Sequence, residues 1–592
     1  MAMSRILFRI IASGALMAAV TTTGAFAQAG EADHDHGADG HIVCGTRLFN
    51  DGGEAEALAR TRANNPELYE RLVERAKHPV DMRALLSAAG DEDFIFPFVV
   101  RNRVTGQYED IQAKLAFHGM WARIWVDTRD TGKSRVKNAI AVLARGLDTA
   151  TATGSRNPGK GIVENDIEVF GVPPVNRFDP SSQVQDFLLT DIQDGLSSGF
   201  VGGFFSSWDQ TDQPGSNKMN ILYIDANEGL NQGSKAVLST LAHEFQHLIH
   251  YRTDPTSQTL YNEGCSEVAS ILLGYMDRSN SKYLRDVNVS LFKWNFDDKT
   301  GNLLEIDYER AMTLMHYLTE QYGEEFLTQF VKTQTENMDR IAEALTAVGR
   351  EPNWQEALSG YAVANYIGKD YPDSRFVYRQ RLSTATPGAA ATFDGSGELP
   401  GTNALPVQQY ASAYVVYTNP GGLKFNFKSS SQPYKVMAML YKGSPTPVQV
   451  TEMAPGQDYT FAYNGSAPYD KIVLAIVNHS FNSHSVNWTV ERVTLGVDDE
   501  AVAGGLAVAS IAPNPSSGSA TMTFTNARVG NVSVELYNTA GEMVRTVVAD
   551  RRLEAGEHQV TIPTGDLPNG LYMVRLTQDG GITSRTLMVL NK

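Results

Sequence analysis

The sequence predicts an α+β chain: a mixed sheet with helices, then a helical region, then two small all-β sandwiches. Three observations predict it. Short apolar runs bounded by Asp and Gly, at 187–190 and 221–224, read as buried strands beside a helically spaced segment at 136–147. From about Val237 to Tyr371 the chain is strongly helical in its spacing. Around Leu382 it changes to a Gly/Ser/Pro-rich linker and then to alternating segments with frequent turn signals, the texture of β-sandwiches. With 592 residues the chain is too long for a single core, and 42% apolar with 20% charged residues is a globular composition, so three or four folded units are expected.

Taken in order, Arg5 and Arg9 precede an apolar stretch at 10–20, and Ala25-Phe26-Ala27 offers the small residues a signal peptidase cuts after. Residues 1–27 therefore read as a cleaved secretory signal, and 28–92 as a candidate pro-segment. That segment holds a His/Asp-rich tract at 33–41, read as a solvated tail, then Ile42-Val43-Cys44-Gly45-Thr46 and a polar helical stretch over 54–77. Strands are expected at 94–100, 113–117 and 122–126, opening a domain over 93–380. An accessory β-sandwich over 381–497 is marked by alternation at 413–417 and 471–475. A second, over 498–592, alternates at Val532, Val534 and Leu536 and at Tyr572, Val574 and Leu576, with a turn at 579–581. No segment after the signal is long and apolar enough to span a bilayer. A net charge of −17 without a Lys/Arg cluster argues against nucleic acid as a partner. With only Cys44 and Cys265, a framework of several disulfides is excluded.

The chemistry is expected on His243-Glu244-Phe245-Gln246-His247. Histidines at i and i+4 lie one above the other on a helix face, so both rings can reach one metal ion. Zinc suits such a pair because it takes nitrogen and oxygen ligands in a tetrahedron with one position open. Val237, Leu238, Leu241, Phe245, Leu248 and Ile249 form an apolar stripe beside the histidines, which makes the helix credible. Glu244 adjoins the first ligand, where a general base is needed to take a proton from a metal-activated water.

Downstream, Asn262-Glu263-Gly264-Cys265-Ser266-Glu267 resembles the second helix of the gluzincin metallopeptidases, the thermolysin-like superfamily. That resemblance implies Glu263 as third zinc ligand and Glu267 as the carboxylate that orients His243. Together with Val201-Gly202-Gly203-Phe204-Phe205-Ser206-Ser207-Trp208 and Tyr223-Ile224-Asp225, the motifs look like the hyicolysin-type branch of secreted bacterial gluzincins over about residues 93–375. The implied fold is a gluzincin-like catalytic domain, a mixed sheet plus a helical subdomain. The implied reaction is hydrolysis of a protein or peptide substrate by a zinc endopeptidase. An aminopeptidase of the same superfamily, or a surface adhesion protein on a peptidase-like scaffold, is the alternative. Cys265 departs from the pattern, where a small or aliphatic residue is expected. Metzincins need Gly and His where this chain has His250 and Thr253, and His250 is read as lying beyond the metal.

Tyr308, read as opening a helix, is similar in placement to the tyrosine that stabilises the oxyanion in several gluzincins; a packing role is the alternative, and His316 is the runner-up. Residues 202–205 could supply an edge strand for substrate. The Cys44-Gly45-Thr46 segment resembles the cysteine switches of secreted zymogens, against a disulfide between Cys44 and Cys265 or a plain buried thiol. Asp191, Asp194 and Asp209 offer oxygens for Ca2+, although turn formation explains them as well. Finally, Pro513-Asn514-Pro515, Leu567-Pro568-Asn569-Gly570-Leu571-Tyr572 and the strand at 585–590 resemble the sorting domain of the type IX secretion route. This implies secretion machinery as a partner and a protein that is secreted or attached to the outer-membrane surface.

Overall fold

The computed structural model describes residues 42–78, 94–177, 182–196, 199–276, 278–296, 302–461, 469–493, 506–526, 528–538, 541–578 and 581–591. The expected signal at 1–27, the His/Asp tract at 33–41 and the turn residues Asp579 and Gly580 lie outside them. Among the described residues no helix is long and apolar enough to cross a membrane.

The first sheet has seven strands: β1 (Ile42–Cys44), β2 (Ile95–Asn102), β3 (Gln107–His118), β4 (Ala122–Asp127), β5 (Gln185–Thr190), β6 (Phe200–Phe205) and β7 (Ile221–Asp225). Their order is β1-β6-β7-β5-β4-β3-β2. Pairing is parallel at β4–β5 and β5–β7 and antiparallel at β6–β7, so the sheet is mixed, as expected. Strands β4 to β7 are buried at every position, which requires cover on both faces. On one face Phe96, Phe98 and Trp125 of the sheet itself cluster with Phe49. The other packs against the helices Ser134–Asp148 and Ser234–Thr253. Inside, Arg123 and Asp186 form a two-point ion pair at 2.8 and 2.9 Å, and the Trp125 indole donates to the same carboxylate. The pair is fully buried yet hydrogen-bonded on both sides, which is the condition under which a charge can be taken from water.

The polar helical stretch expected over 54–77 is two helices, Glu54–Asn64 and Pro66–Lys77. Proline cannot sit inside a helix, but its fixed φ suits the first position, and Asn65 accepts the Leu68 N–H at 3.0 Å as cap. The helix expected to open at Tyr308 runs from Asn302 to Tyr322, so Tyr308 lies well inside it.

Two sandwiches follow, which makes the chain α+β with C-terminal all-β units. The first uses β8 (Ala391–Asp394), β9 (Thr402–Val407), β10 (Ser412–Gly421), β11 (Leu423–Phe427), β12 (Tyr434–Tyr441), β13 (Pro447–Met453), β14 (Asp458–Phe461), β15 (Tyr469–Asn478) and β16 (His484–Arg492). Its sheets are β13-β12-β15-β10-β8 and β14-β11-β16-β9. The outer face of the five-stranded sheet, with Tyr414, Met439, Tyr441 and Val473, belongs to the same hydrophobic cluster as the helices of the preceding region. The helix Trp354–Ile367 lies against it, and Tyr414 donates to the Ala362 carbonyl at 2.6 Å. The last unit, strands from Leu506–Ala512 to Gly581–Val589, has a core of its own around Phe524, Val534 and Val574.

Candidate metal centre

The helix Ser234–Thr253 carries the expected stripe inward, with Leu241, Phe245, Leu248 and Ile249 all buried. On its neighbouring face His243 and His247 meet, Nε2 to Nε2, at 3.1 Å. The next helix, Thr259–Leu272, brings Glu263, whose Oε2 lies 3.2 Å from His243 Nε2 and 3.5 Å from His247 Nε2. Gly264 lets this helix press against Asn302–Tyr322: a Cβ there would stand 2.6 Å from Met315 Cγ and 2.9 Å from the Ala311 carbonyl. Cys44 Sγ completes the group at 3.4 Å from His247 Nε2, and the ligand atoms of all four side chains lie within 4.8 Å of one another.

This donor set fits zinc. Nitrogen, oxygen and sulfur held about 2.0–2.3 Å from a tetrahedral ion stand about 3.3–3.6 Å apart, close to the separations seen here. Glu263 Oε2 and Glu244 Oε1 are buried with no hydrogen-bond partner, which is rare unless a cation or water serves them. The charges agree. Burial opposes charging His247, but Glu263 and Glu244 raise it to about 9, so the cluster favours positive charge at its centre. Burial also pushes the Glu244 carboxyl up, against the pull of His247 and His243. For the Cys44 thiol, burial and the carboxylates of Glu244 and Glu263 all act upward.

Around the donors, His247 Nδ1 lies 3.0 Å from Asn262 Oδ1 and 3.1 Å from Ser266 Oγ, which itself donates to Gln246. Either contact fixes the ring so that Nε2 faces the centre. Glu267 Oε1 lies 3.7 Å from His243 Nδ1 and accepts from Arg278 at 3.1 Å. Arg278 in turn stacks over the Tyr308 ring, 4.9 Å from its centroid. The Tyr308 phenol is buried and electrostatically coupled to Glu263 and Cys44, so it borders the centre.

The N-terminal segment reaches the centre from the sheet. Strand β1 pairs parallel with β6, and Gly45 donates to the Gly203 carbonyl at 2.9 Å. Thr46 then donates to Glu244 Oε2 at 2.6 Å and accepts the Phe205 N–H at 2.8 Å. The edge at residues 202–205, read from sequence as one that could hold substrate, is occupied here by the end of β1 and by Gly45, Thr46 and Asn50.

Other candidates fall elsewhere. His250 is fully buried, with Nε2 3.1 Å from Arg340; burial and that charge push its pKa well down, so it packs behind the ligand face. His316 sits 2.8 Å from the Gln380 carbonyl, on a different partner set from the metal donors. Cys44 and Cys265 are not joined; Cys265 is a core thiol raised to about 12 by burial. Asp194 accepts from the Leu196 and Val201 backbones and Asp209 from Asn217 and Tyr223, both as turn-fixing groups. Asp191 instead meets Asp225 and Glu228, an oxygen cluster in which burial pushes Asp225 up to about 7 against the Gly229 and Ile192 N–H groups, with Glu228 and Asp191 adding smaller upward pushes.

Sequence reasoning missed Thr46 and Ser266 and the part played by Asn262. Ser266 carried a signal, since it sits one helical turn from Asn262 on the same face. Thr46 carried none beyond its place beside Cys44.

This donor set is of the kind a metallopeptidase holds, and one relative supports a metallopeptidase. Over 352 residues, 57% of this chain, the sequence is 24% identical to "Neutral metalloprotease ShpI" of Staphylococcus hyicus, covering 72% of that protein. Residues 510–590 match the family described as the secretion system C-terminal sorting domain. The final sandwich is such a domain, and the protein is secreted or attached at the cell surface. Among solved structures, the chain is similar to the glycoside hydrolase domain of Endo-D from Streptococcus pneumoniae R6 (10% identity, 32% of each chain, TM-score 0.11). It is also similar to a β-glucuronidase of Faecalibacterium prausnitzii (12% identity, 31% of this chain and 38% of that one, TM-score 0.12). The chain spans about a third of the length of these two structures, and likeness at that level says nothing of fold or activity.

Proposed function

We propose that the protein is an exported zinc-dependent endopeptidase in which His243, His247 and Glu263 hold the metal and Glu244 is the general base. The observation that carries this reading is the convergence of those donor atoms, with the orphaned Glu244 Oε1 beside them. Bound there, zinc would supply Lewis-acid chemistry, polarising the scissile carbonyl and acidifying water. Glu244 takes a proton from the attacking water and passes it to the leaving nitrogen. Tyr308, whose buried phenol borders the centre, is assigned to donate to the developing oxyanion. Asn262 and Ser266 hold the His247 ring, and Glu267 supports His243.

An aminopeptidase would need an acidic anchor for the substrate's N-terminus. Among the described residues each carboxylate at this centre has a partner or a task in the reading above, which favours cleavage within chains. The test uses protein harvested from the medium, assayed before and after limited proteolysis for metal content and for cleavage of an unfolded protein substrate. Glu244→Gln, still folded and zinc-loaded, should lower kcat about 10²–10⁴-fold. Cleavage at the parent rate would sink the mechanism.

A further inference from the structure

The segment that approaches the centre makes three contacts, each with a different requirement of catalysis. Cys44 Sγ stands among the metal donors, 3.4 Å from His247 Nε2. Thr46 Oγ1 donates to the Glu244 carboxylate at 2.6 Å. Between them, Gly45 lies so close to β6 that a Cβ would stand 2.4 Å from Val201 Cγ1 and 3.0 Å from the Gly203 carbonyl. Strand β1 and the residues after it also use the outer hydrogen-bonding groups of β6. Gly203 O accepts from Gly45, Phe205 N–H donates to Thr46, and Phe205 O accepts from Asn50 at 2.9 Å. Those are the main-chain groups with which a sheet edge binds an extended peptide.

We propose that residues 42–50 are an internal plug that keeps the peptidase latent. Cys44 fills the fourth ligand position, Thr46 engages the general base, and β1 occupies the strand edge where substrate main chain would pair. The inference rests on the zinc-peptidase reading and names the regulation of that site. Ligation moves no electrons: the Cys44 thiol releases its proton to solvent as the sulfur binds, and takes one back when water replaces it. Several contacts seat the plug. Phe49 stacks on Phe204 with ring centroids 3.7 Å apart, and Asp51 pairs with Arg101 at 2.8 Å and Arg103 at 2.7 Å. The helices Glu54–Asn64 and Pro66–Lys77 then pack Ala57, Leu68 and Leu72 against Val99 and Tyr108. The plug is thus held by a folded anchor on the sheet, which opposes its departure.

The test compares the full chain with Cys44→Ala and Thr46→Val. With cobalt(II) loaded in place of zinc, the parent should show a thiolate-to-cobalt charge-transfer band that Cys44→Ala lacks and Thr46→Val keeps. Alkylation of Cys44 should be slow in the metal-loaded parent and fast once a chelator strips the ion. Cleavage of a protein substrate by the full chain should rise at least about tenfold in Cys44→Ala, and by less in Thr46→Val, as removal of a competing closed state predicts. No cobalt band, equal alkylation with and without metal, and equal cleavage by parent and Cys44→Ala would overturn the plug and leave the peptidase reading standing. Absence of both metal binding and cleavage in every form, including proteolysed protein, would instead overturn the peptidase reading and the plug with it.

Discussion

At the scale of single residues, the proposed centre is oriented by groups outside its donor set. Asn262 Oδ1 and Ser266 Oγ both face His247 Nδ1, and the ring can satisfy them only while Nε2 points at Glu263 and His243. Asn262→Ala should weaken zinc binding about 10–100-fold while leaving the fold intact, read by competition against a chromogenic chelator. Unchanged affinity would show that Ser266 suffices. The convergence of His243, His247 and Glu263 was legible in sequence, because i and i+4 spacing on a helix is a local rule and Glu263 comes with a recognisable neighbourhood. Thr46 was not. Its contact with Glu244 spans 198 residues, and no periodicity in the chain announces which distant side chain a hydroxyl will meet.

At the scale of elements, the helices were readable in kind and less so in their limits. The apolar stripe fixed the inward face of Ser234–Thr253, whereas the start of Asn302–Tyr322 lies earlier than Tyr308 because its first turns are partly exposed and carry no stripe. Residues 202–205 of β6 were read only as able to supply an edge strand for substrate, and the covering of that edge depends on a partner some 160 residues away in sequence, set by tertiary pairing alone. Helix contact also limits substitution. In Gly264→Val the new side chain must displace Met315 and the backbone of Ala311, so the helix carrying Glu263 shifts outward. Overpacking of this kind costs about 2 kcal/mol. The expected result is a lower urea midpoint together with weaker zinc binding; a stability loss with unchanged zinc affinity would mean that Glu263 keeps its place despite the shift.

For the whole molecule, the alternation that revealed two sandwiches did not reveal that one is fused to the catalytic part, since both faces of its five-stranded sheet look alike in sequence. The junction is partly polar. His479 Nε2 lies 3.1 Å from Ser359 Oγ, under the Trp354 ring. Burial, aided by the Lys435 charge, pushes His479 down to about 3 from an ordinary 6.5. The folded state therefore refuses a proton that the unfolded state accepts. Stability from this group is complete above about pH 6.5 and falls as pH drops towards 3, because the unfolded chain binds more protons throughout that window. Between pH 7 and 5 the loss from this group should be about 2 kcal/mol, seen as a urea midpoint that falls less in His479→Gln than in the parent. Equal pH profiles for the two proteins would place the proton elsewhere.

The shared cluster behind that junction has a further consequence, one of cooperativity. Tyr414, Met439 and Val473 of the sandwich and Leu314, Phe326 and Tyr361 of the helices belong to a single apolar interior. Neither half can therefore open without exposing part of the other. The catalytic part and the first sandwich should then lose structure as one unit, whereas the terminal sorting domain, with its own separate core, can come and go without disturbing them.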